Sequence, residues 1–489
     1  MKRPRTPKSK APASAAVAKV GAANVKAAST NAANVGAEGG LDLLLGWKHT
    51  EDDKGPIGFS APTKAAPAKI KEEALFYSED RHLVTIAPTG AGKGRGVIIP
   101  NLLRFEGSVI VIDPKGETWH VTHRRRKEMG QEVRLLDPFG AVSKRTDSLN
   151  PFDLFDRPGA LLDADAEMLA SLLAGDQGFH KEPFWDNWGR SLMSGVIAAV
   201  AETAGPDDRH FGRVREILMS DDAVYNLAAM IESHDNLNRL SKQNISSFLP
   251  ITEQTRSGIL STTQSYLKVV NSDSALRTLS RSTISLEAVR KGDPMTIYIV
   301  VPPDKLESHG ALLRLWVGAL MLTVMGRKRR PKRSTLFLLD ECAQLGEFGP
   351  LRQSMTLLRG YGLQVWPFFQ DLSQLQRLYP KDWRTIFNNA GVFQLFGVAN
   401  HLMAKESSEL IGDIDADTLR AMPKDRQVIA ISGDKALSAR LPDYLEDAPF
   451  KGHWDPNPMF EAYDEEAPAK APAKPAAKKG GRKSQTPAR

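Results

Sequence analysis

With 489 residues, 41% of them hydrophobic and 25% charged, the chain has the composition of a globular protein, with length for two or three domains. Its net charge of +7 sits at the ends: residues 1–40 carry seven Lys/Arg against Glu38 and residues 467–489 seven Lys/Arg and no acid, so +7 − 6 − 7 leaves about −6 on the body. The basic balance therefore gives no argument for a nucleic-acid groove in the folded part. The single cysteine, Cys342, excludes an intrachain disulfide and fits a reducing compartment.

In chain order, residues 1–40 and 464–489 are low-complexity Ala/Lys/Pro segments with too little apolar surface to offset chain entropy. They are expected to be disordered, as an arm over 1–45 and a tail over 464–489, or to act as basic arms touching nucleic acid or acidic lipid. The basic N-terminus runs into Ala/Lys/Asn-rich sequence without the apolar core of a signal peptide. Ordered structure is expected from near Gly46. From Leu83 the pattern becomes strand (LVTIA), glycine-rich turn (PTGAGKGRG) and helix (VIIPNLLRF). Ser108–Asp113 (SVIVID) is a continuous apolar run, as in strands buried on both faces, and a short strand over Glu132–Asp137 follows a basic helix carrying Arg124–Lys127.

Between about 155 and 290 helical repeats such as FWDNWGRSLMSGVIAAVAE and AVYNLAAMIES dominate. Strand signals return at Met295–Pro302, Ser334–Asp340, Leu363–Phe369 and Val392–Val398. The expectation is an α/β fold with one parallel-rich central sheet, interrupted and resumed: 46–154, an all-α insertion over 155–290, then 291–463. Ala311–Gly326 is apolar but only 16 residues long and broken by Arg314, whereas a helix needs roughly 20 residues to span a bilayer, so it reads as a buried core helix.

Ala87-Pro-Thr-Gly-Ala-Gly-Lys-Gly94 lies between strand and helix, the context of a phosphate loop. Glycines let successive backbone N–H groups face the phosphates, the helix N-terminus adds its positive end, and a lysine reaches the outer phosphates. Pro88, Thr89, Gly90, Ala91, Gly92, Lys93 and Gly94 are the candidate ATP-binding residues. Ala87 replaces the usual first glycine. Gly94 replaces the Ser/Thr whose hydroxyl ligates Mg²⁺, so water fills that place or the metal is held less firmly. Leu336–Glu341 is an apolar strand ending in two carboxylates, the Walker B pattern: Asp340 to hold Mg²⁺ and Glu341 to orient and deprotonate the attacking water.

APTGAGKGRGVIIPNLL, VIDPKGE, LLDP, LNPFD, FWDNWGRSLMSGVI, LFLLDECAQLGEFGPLRQSMTLLRGYGLQVWPFFQDLSQL and NNAGVFQLFGV, in that order between about 80 and 440, resemble the type IV secretion coupling proteins, the TraG-like conjugative ATPases. The resemblance implies a RecA-like P-loop domain, an all-α domain that selects substrates, and a ring, usually hexameric, with ATP held between neighbours. It implies a motor that receives relaxase–DNA complexes or effector proteins and passes them to channel components, and it counts Gly94 as a family trait. By position it offers Gln370 as a γ-phosphate sensor, with a strand-end amide satisfying nearby backbone as the equal alternative. Arg359 stands as the trans-acting arginine, with Arg352 and Arg384 as rivals, or as a surface cation near a helix end. Asp113, Lys115 and Glu117 of the DPKGE turn sit either beside the nucleotide or in a structural turn.

Members of that family begin with transmembrane helices, and nothing ahead of Ala87 here reads as one. The expectation is a cytoplasmic ATPase drawn to the cytoplasmic face of the inner membrane by a separate membrane-anchor protein, or by attraction of the basic arm to anionic lipid. The run Arg327–Arg333 (RKRRPKR) suggests DNA contact, or a solvated loop after a helix; it lacks the interleaved aromatics of a single-strand platform. A weakly hydrolysing, nucleotide-gated adaptor remains the alternative to the motor.

Overall fold

The computed structural model describes residues 27–31, 40, 42–50, 71–175, 183–331, 334–357 and 360–459. Among these residues twelve strands form one sheet: β1 (Ala27–Asn31), β2 (Leu43–Thr50), β3 (Lys71–Tyr77), β4 (Leu83–Ile86), β5 (Val109–Ile112), β6 (Glu132–Leu136), β7 (Met295–Ile299), β8 (Thr335–Leu339), β9 (Leu363–Phe369), β10 (Val392–Phe396), β11 (Arg426–Ile431) and β12 (Leu437–Arg440). Their order is β1-β3-β2-β12-β11-β10-β4-β9-β8-β5-β7-β6. The seven strands from β10 to β6 are mutually parallel, and the other pairings are antiparallel.

The sheet is thus mixed and parallel over its larger part, the parallel-rich α/β sheet expected from the sequence. By contrast, β1 and the start of β2 fall inside the 1–45 segment expected to be disordered: β1 joins the edge through backbone pairing to β3, and Leu43–Leu45 are buried. The 464–489 tail lies outside the described residues.

Side chains alternate between two apolar layers along the parallel strands. Val109, Val111, Leu336 and Leu338 face one cluster, with Val97, Ile98 and Leu102 of the helix after the phosphate loop. Ile110, Ile112, Phe337 and Leu339 face the other, which is why these strands read as unbroken apolar runs. At the seam between parallel and antiparallel strands, Trp366 Nε1 donates to Thr85 Oγ1 (2.8 Å), Thr85 Oγ1 to Gln394 Oε1 (2.9 Å) and Gln394 Nε2 to Gln427 Oε1 (3.0 Å). A buried polar chain of this kind holds the register, since a one-residue slip would strand every member without a partner.

Between β6 and β7 the described elements are helical, from Pro151–Asp156 to Leu286–Lys291. They do not form a separate ball. The helix Pro303–Met325 packs between them and the sheet, with Leu312, Trp316 and Leu320 fully buried in the same cluster as Leu192, Val196 and Leu227. Arg314, the break in its apolar run, donates from Nε to Leu172 O (2.9 Å) and from Nη2 to Leu173 O (3.2 Å), satisfying carbonyls at the end of the helix Leu162–Ala174. This helix is apolar and long enough for a bilayer by length and composition, but most of it is buried inside the protein.

Candidate functional site: a phosphate loop facing paired carboxylates

The chemistry gathers at the carboxyl ends of three adjacent strands. β4 leads into the phosphate loop, β8 into Asp340–Glu341, and β9, which lies between them, into Gln370. Lys93 and Asp340, 247 positions apart, therefore meet across one intervening strand. Gly90 (φ 81°) and Gly92 (φ 94°) hold the left-handed conformations of the loop, in which a side chain would be strained. Thr89 and Gly90 are exposed, while Ala91 donates from its backbone N to Pro88 O (3.2 Å). Gly94 opens the following helix with a wide π-type turn through Ile98, anchored by Asn101, whose side chain bridges Val97 O and the backbone of Leu44.

Lys93 is buried, its Nζ 3.1 Å from Ala87 O and 3.6 Å from Glu341 Oε1. Glu341 takes φ 52°, ψ 44°, the one non-glycine left-handed residue among those described. Such a conformation costs roughly 1–3 kcal/mol and persists where surrounding contacts hold it. Here the contacts are Lys93 and the Gln370 amide, whose Nε2 donates to Glu341 Oε2 at 2.9 Å. Gln370 thus grips the second carboxylate; the sequence left open whether it senses phosphate or satisfies backbone.

Asp113 follows β5, the strand beside β8, and lies close enough to Asp340 to act on its charge. Burial pushes Asp340 up to about 7, helped by the negative charges of Glu341 and Asp113 and opposed by Lys93. Burial likewise raises Asp113 to about 6, although Trp119 N donates to its Oδ2 at 2.8 Å. Three carboxylates against one ammonium leave excess negative charge where a polyphosphate would have to bind, so the residues fit a nucleotide accompanied by a divalent cation. Among the described residues no three His, Cys, Asp or Glu side chains converge into a closed metal cage. Mg²⁺ does not need one, because it is commonly held by one or two carboxylates, waters and the substrate's phosphates.

Arg359 lies outside the described residues. Of its rivals, Arg352 faces Glu347 (3.7 Å) and Asp382 (3.6 Å), and Arg384 stacks its guanidinium 5.0 Å from the Trp383 ring centroid. In the basic run after Pro303–Met325, Lys328, Arg329 and Arg330 are exposed, as a solvated loop would have them, but Arg327 departs from that reading. Arg327 is buried and donates to Gly362 O (3.0 Å), Arg290 O (3.0 Å), Val289 O (2.5 Å) and Thr335 Oγ1 (2.9 Å), while Arg330 pairs with Asp80 (2.7 Å). Sequence reasoning missed the segment 440–459, which returns to the phosphate-loop helix and to the helix Glu117–Glu128: Arg95 makes two bonds to the Asp443 carboxylate (2.8 and 2.5 Å) and Arg124 bonds Asp455 (2.7 Å). No local pattern announces contacts between residues more than 300 positions apart.

A phosphate loop and a carboxylate-tipped strand separated by one strand of a largely parallel sheet define a RecA-like P-loop nucleotide-binding fold. Residues 58–418 match the profile of the family described as type IV secretory system conjugative DNA transfer, and the chain belongs to that family. Among its relatives, the VirD4 protein of Agrobacterium fabrum is 29% identical over 354 residues, covering 69% of this chain and 50% of its own. The probable conjugal transfer protein TraG of Sinorhizobium fredii is 25% identical over 303 residues, covering 61% and 47%. The chain thus spans about half the length of these relatives. The bacterial conjugative coupling protein TrwBdeltaN70 superposes with a TM-score of 0.61 at 17% identity, over 78% of this chain and 89% of that one. The plasmid coupling protein TrwB in complex with ADP and Mg²⁺ gives 0.57, also at 17% identity, over 75% and 86%. The fold is shared with both.

Proposed function

We propose that this chain is a coupling ATPase of type IV secretion, which binds and hydrolyses MgATP and hands relaxase–DNA or effector-protein substrates to the channel. The observation that carries the reading is the pocket in which Glu341 meets both Lys93 and Gln370 beside Asp340 and Asp113. In that pocket the backbone of Pro88–Gly94 and the Lys93 ammonium bind the phosphates. Asp340 holds Mg²⁺, which neutralises charge on the outer phosphates. The Glu341 carboxylate, aimed by Gln370, takes the proton of the attacking water. Arg359 would act from a neighbouring copy in a hexameric ring. The helical insertion over 155–290 meets the substrate, DNA is contacted through its phosphates, and a separate membrane protein keeps the assembly at the cytoplasmic face of the inner membrane.

Sites shared between copies make turnover per subunit rise with protein concentration and with added DNA. Glu341→Gln should keep nucleotide binding and lower kcat by about 10²–10⁴-fold, the range of a lost general base. The lack of a hydroxyl at Gly94 favours the adaptor alternative, in which hydrolysis is incidental. Unchanged substrate transfer by the Glu341→Gln protein would establish the adaptor and refute the motor.

A further inference from the structure

Gly94 leaves the phosphate loop without the hydroxyl that would reach a metal, and the space beside it is taken by a carboxylate. A Cβ placed on Gly94 would find, as its three nearest atoms outside its own helix and chain neighbours, Glu117 Oε2 at 3.6 Å, Cδ at 3.8 Å and Oε1 at 4.0 Å. Glu117 reaches that point through the DPKGE turn. β5 ends at Ile112 beside Leu339 of β8, Gly116 N donates back to Asp113 O (3.1 Å), and left-handed Gly116 (φ 71°) starts the helix Glu117–Glu128 with Glu117 as its first residue. The turn thus leaves the sheet next to the Walker B strand, on the side opposite β9. Glu117 is half-buried, flanked by Lys115 and by the Asn457 side chain from the returning C-terminal segment.

We propose that Glu117 supplies the protein oxygen that residue 94 lacks, so that the cation accompanying the nucleotide is held between the Glu117 and Asp340 carboxylates. The inference rests on the MgATP reading above and assigns one residue within it. Oxygen ligands suit Mg²⁺, and a carboxylate binds it more strongly than a neutral hydroxyl does. The same charge repels phosphate when no cation is present. A Glu at 117 with a Gly at 94 therefore makes nucleotide binding more dependent on the cation than a hydroxyl at 94 would.

The test is calorimetric titration of the full chain with a non-hydrolysable ATP analogue, in Mg²⁺ and in EDTA, for the wild type, Glu117→Gln, and Gly94→Ser combined with Glu117→Gln. The Mn²⁺ spin-resonance spectrum of the bound complex gives a second readout. Glu117→Gln is expected to weaken binding at least about tenfold in Mg²⁺, the lower end of what losing even an outer partner of a metal ligand costs. In EDTA it should bind as tightly as the wild type or more tightly. The hydroxyl introduced by Gly94→Ser, which the 3.6 Å clearance admits, should restore much of the Mg²⁺ effect. If Glu117→Gln keeps the wild-type ratio of affinities in Mg²⁺ and EDTA, and the Mn²⁺ spectrum is unchanged, this assignment falls and MgATP binding stands. A wild-type protein that binds the analogue in neither condition overturns the nucleotide reading itself, and this one with it.

Discussion

The carboxyl edge of the sheet and the helical insertion share one hydrophobic core but use their ionisable groups in opposite ways. At the sheet edge Lys93, Asp113, Asp340 and Glu341 are drawn together, and two of the acids are pushed well above their ordinary range. In and around the insertion the charges pair off at the surface, Arg209 with Asp156, Arg213 with Glu216 and Arg290 with Glu287. Large apolar side chains also stand in solvent there, Tyr225 at 73% exposure and Phe184 at 46%. Unbalanced buried charge is held in place by packing and is useful for binding a charged ligand. Balanced surface charge contributes little to stability, so that surface is free to vary with whatever it meets.

The contrast is broken most severely at Lys93. Lys93→Ala should weaken nucleotide binding by about 2–5 kcal/mol, the range for truncating one member of a buried charge pair, with the far-UV spectrum retained. Near-wild-type affinity in calorimetry would mean that the edge is not a phosphate site. Next in size, Arg327→Met leaves several buried carbonyls without a donor and should lower stability by roughly 2–4 kcal/mol in a denaturant titration, with DNA affinity unchanged. The opposite pattern, intact stability and weakened DNA binding, would return the basic run to an interface.

The raised acids predict a smaller effect with a definite sign. Their folded-state values of about 7 and about 6 lie above the ordinary carboxylate range near 4, so across that window the native state keeps protons that the unfolded chain has released. Stability of the nucleotide-free protein should therefore fall as pH rises from about 5 to about 8. Asp340→Asn should flatten the melting profile over the same window. Smallest of all, Tyr225→Ala on the helix Ala223–Ser233 should change stability by no more than about 0.5 kcal/mol and leave turnover untouched. A loss of substrate capture alone would sharpen the division between the regions, and a loss of turnover would erase it.

The parallel strands and the phosphate loop were legible because their signals are local: continuous apolar runs such as Val109–Ile112, and glycines spaced around Lys93. β2, β3, β11 and β12 were not legible, since none carries a long apolar run, and although β11 and β12 are neighbours in the chain, β12 joins the sheet through β2, far away in sequence. The role of Arg327 was misread for a related reason. A cation in a basic stretch looks solvated until the carbonyls around it are known, and those belong to residues 289, 290 and 362.

Taken alone, the order of residues determined the family and picked out the lysine and the two acids that the fold brings together, because those signals are residue types at short, fixed spacings. Tertiary structure decided the order of strands, hence that Gln370 grips Glu341, that Asp113 adds its charge to Asp340, and that Glu117 fills the space beside Gly94. Sheet order follows from which apolar faces bury best together, a property of the whole chain that no short stretch of sequence contains.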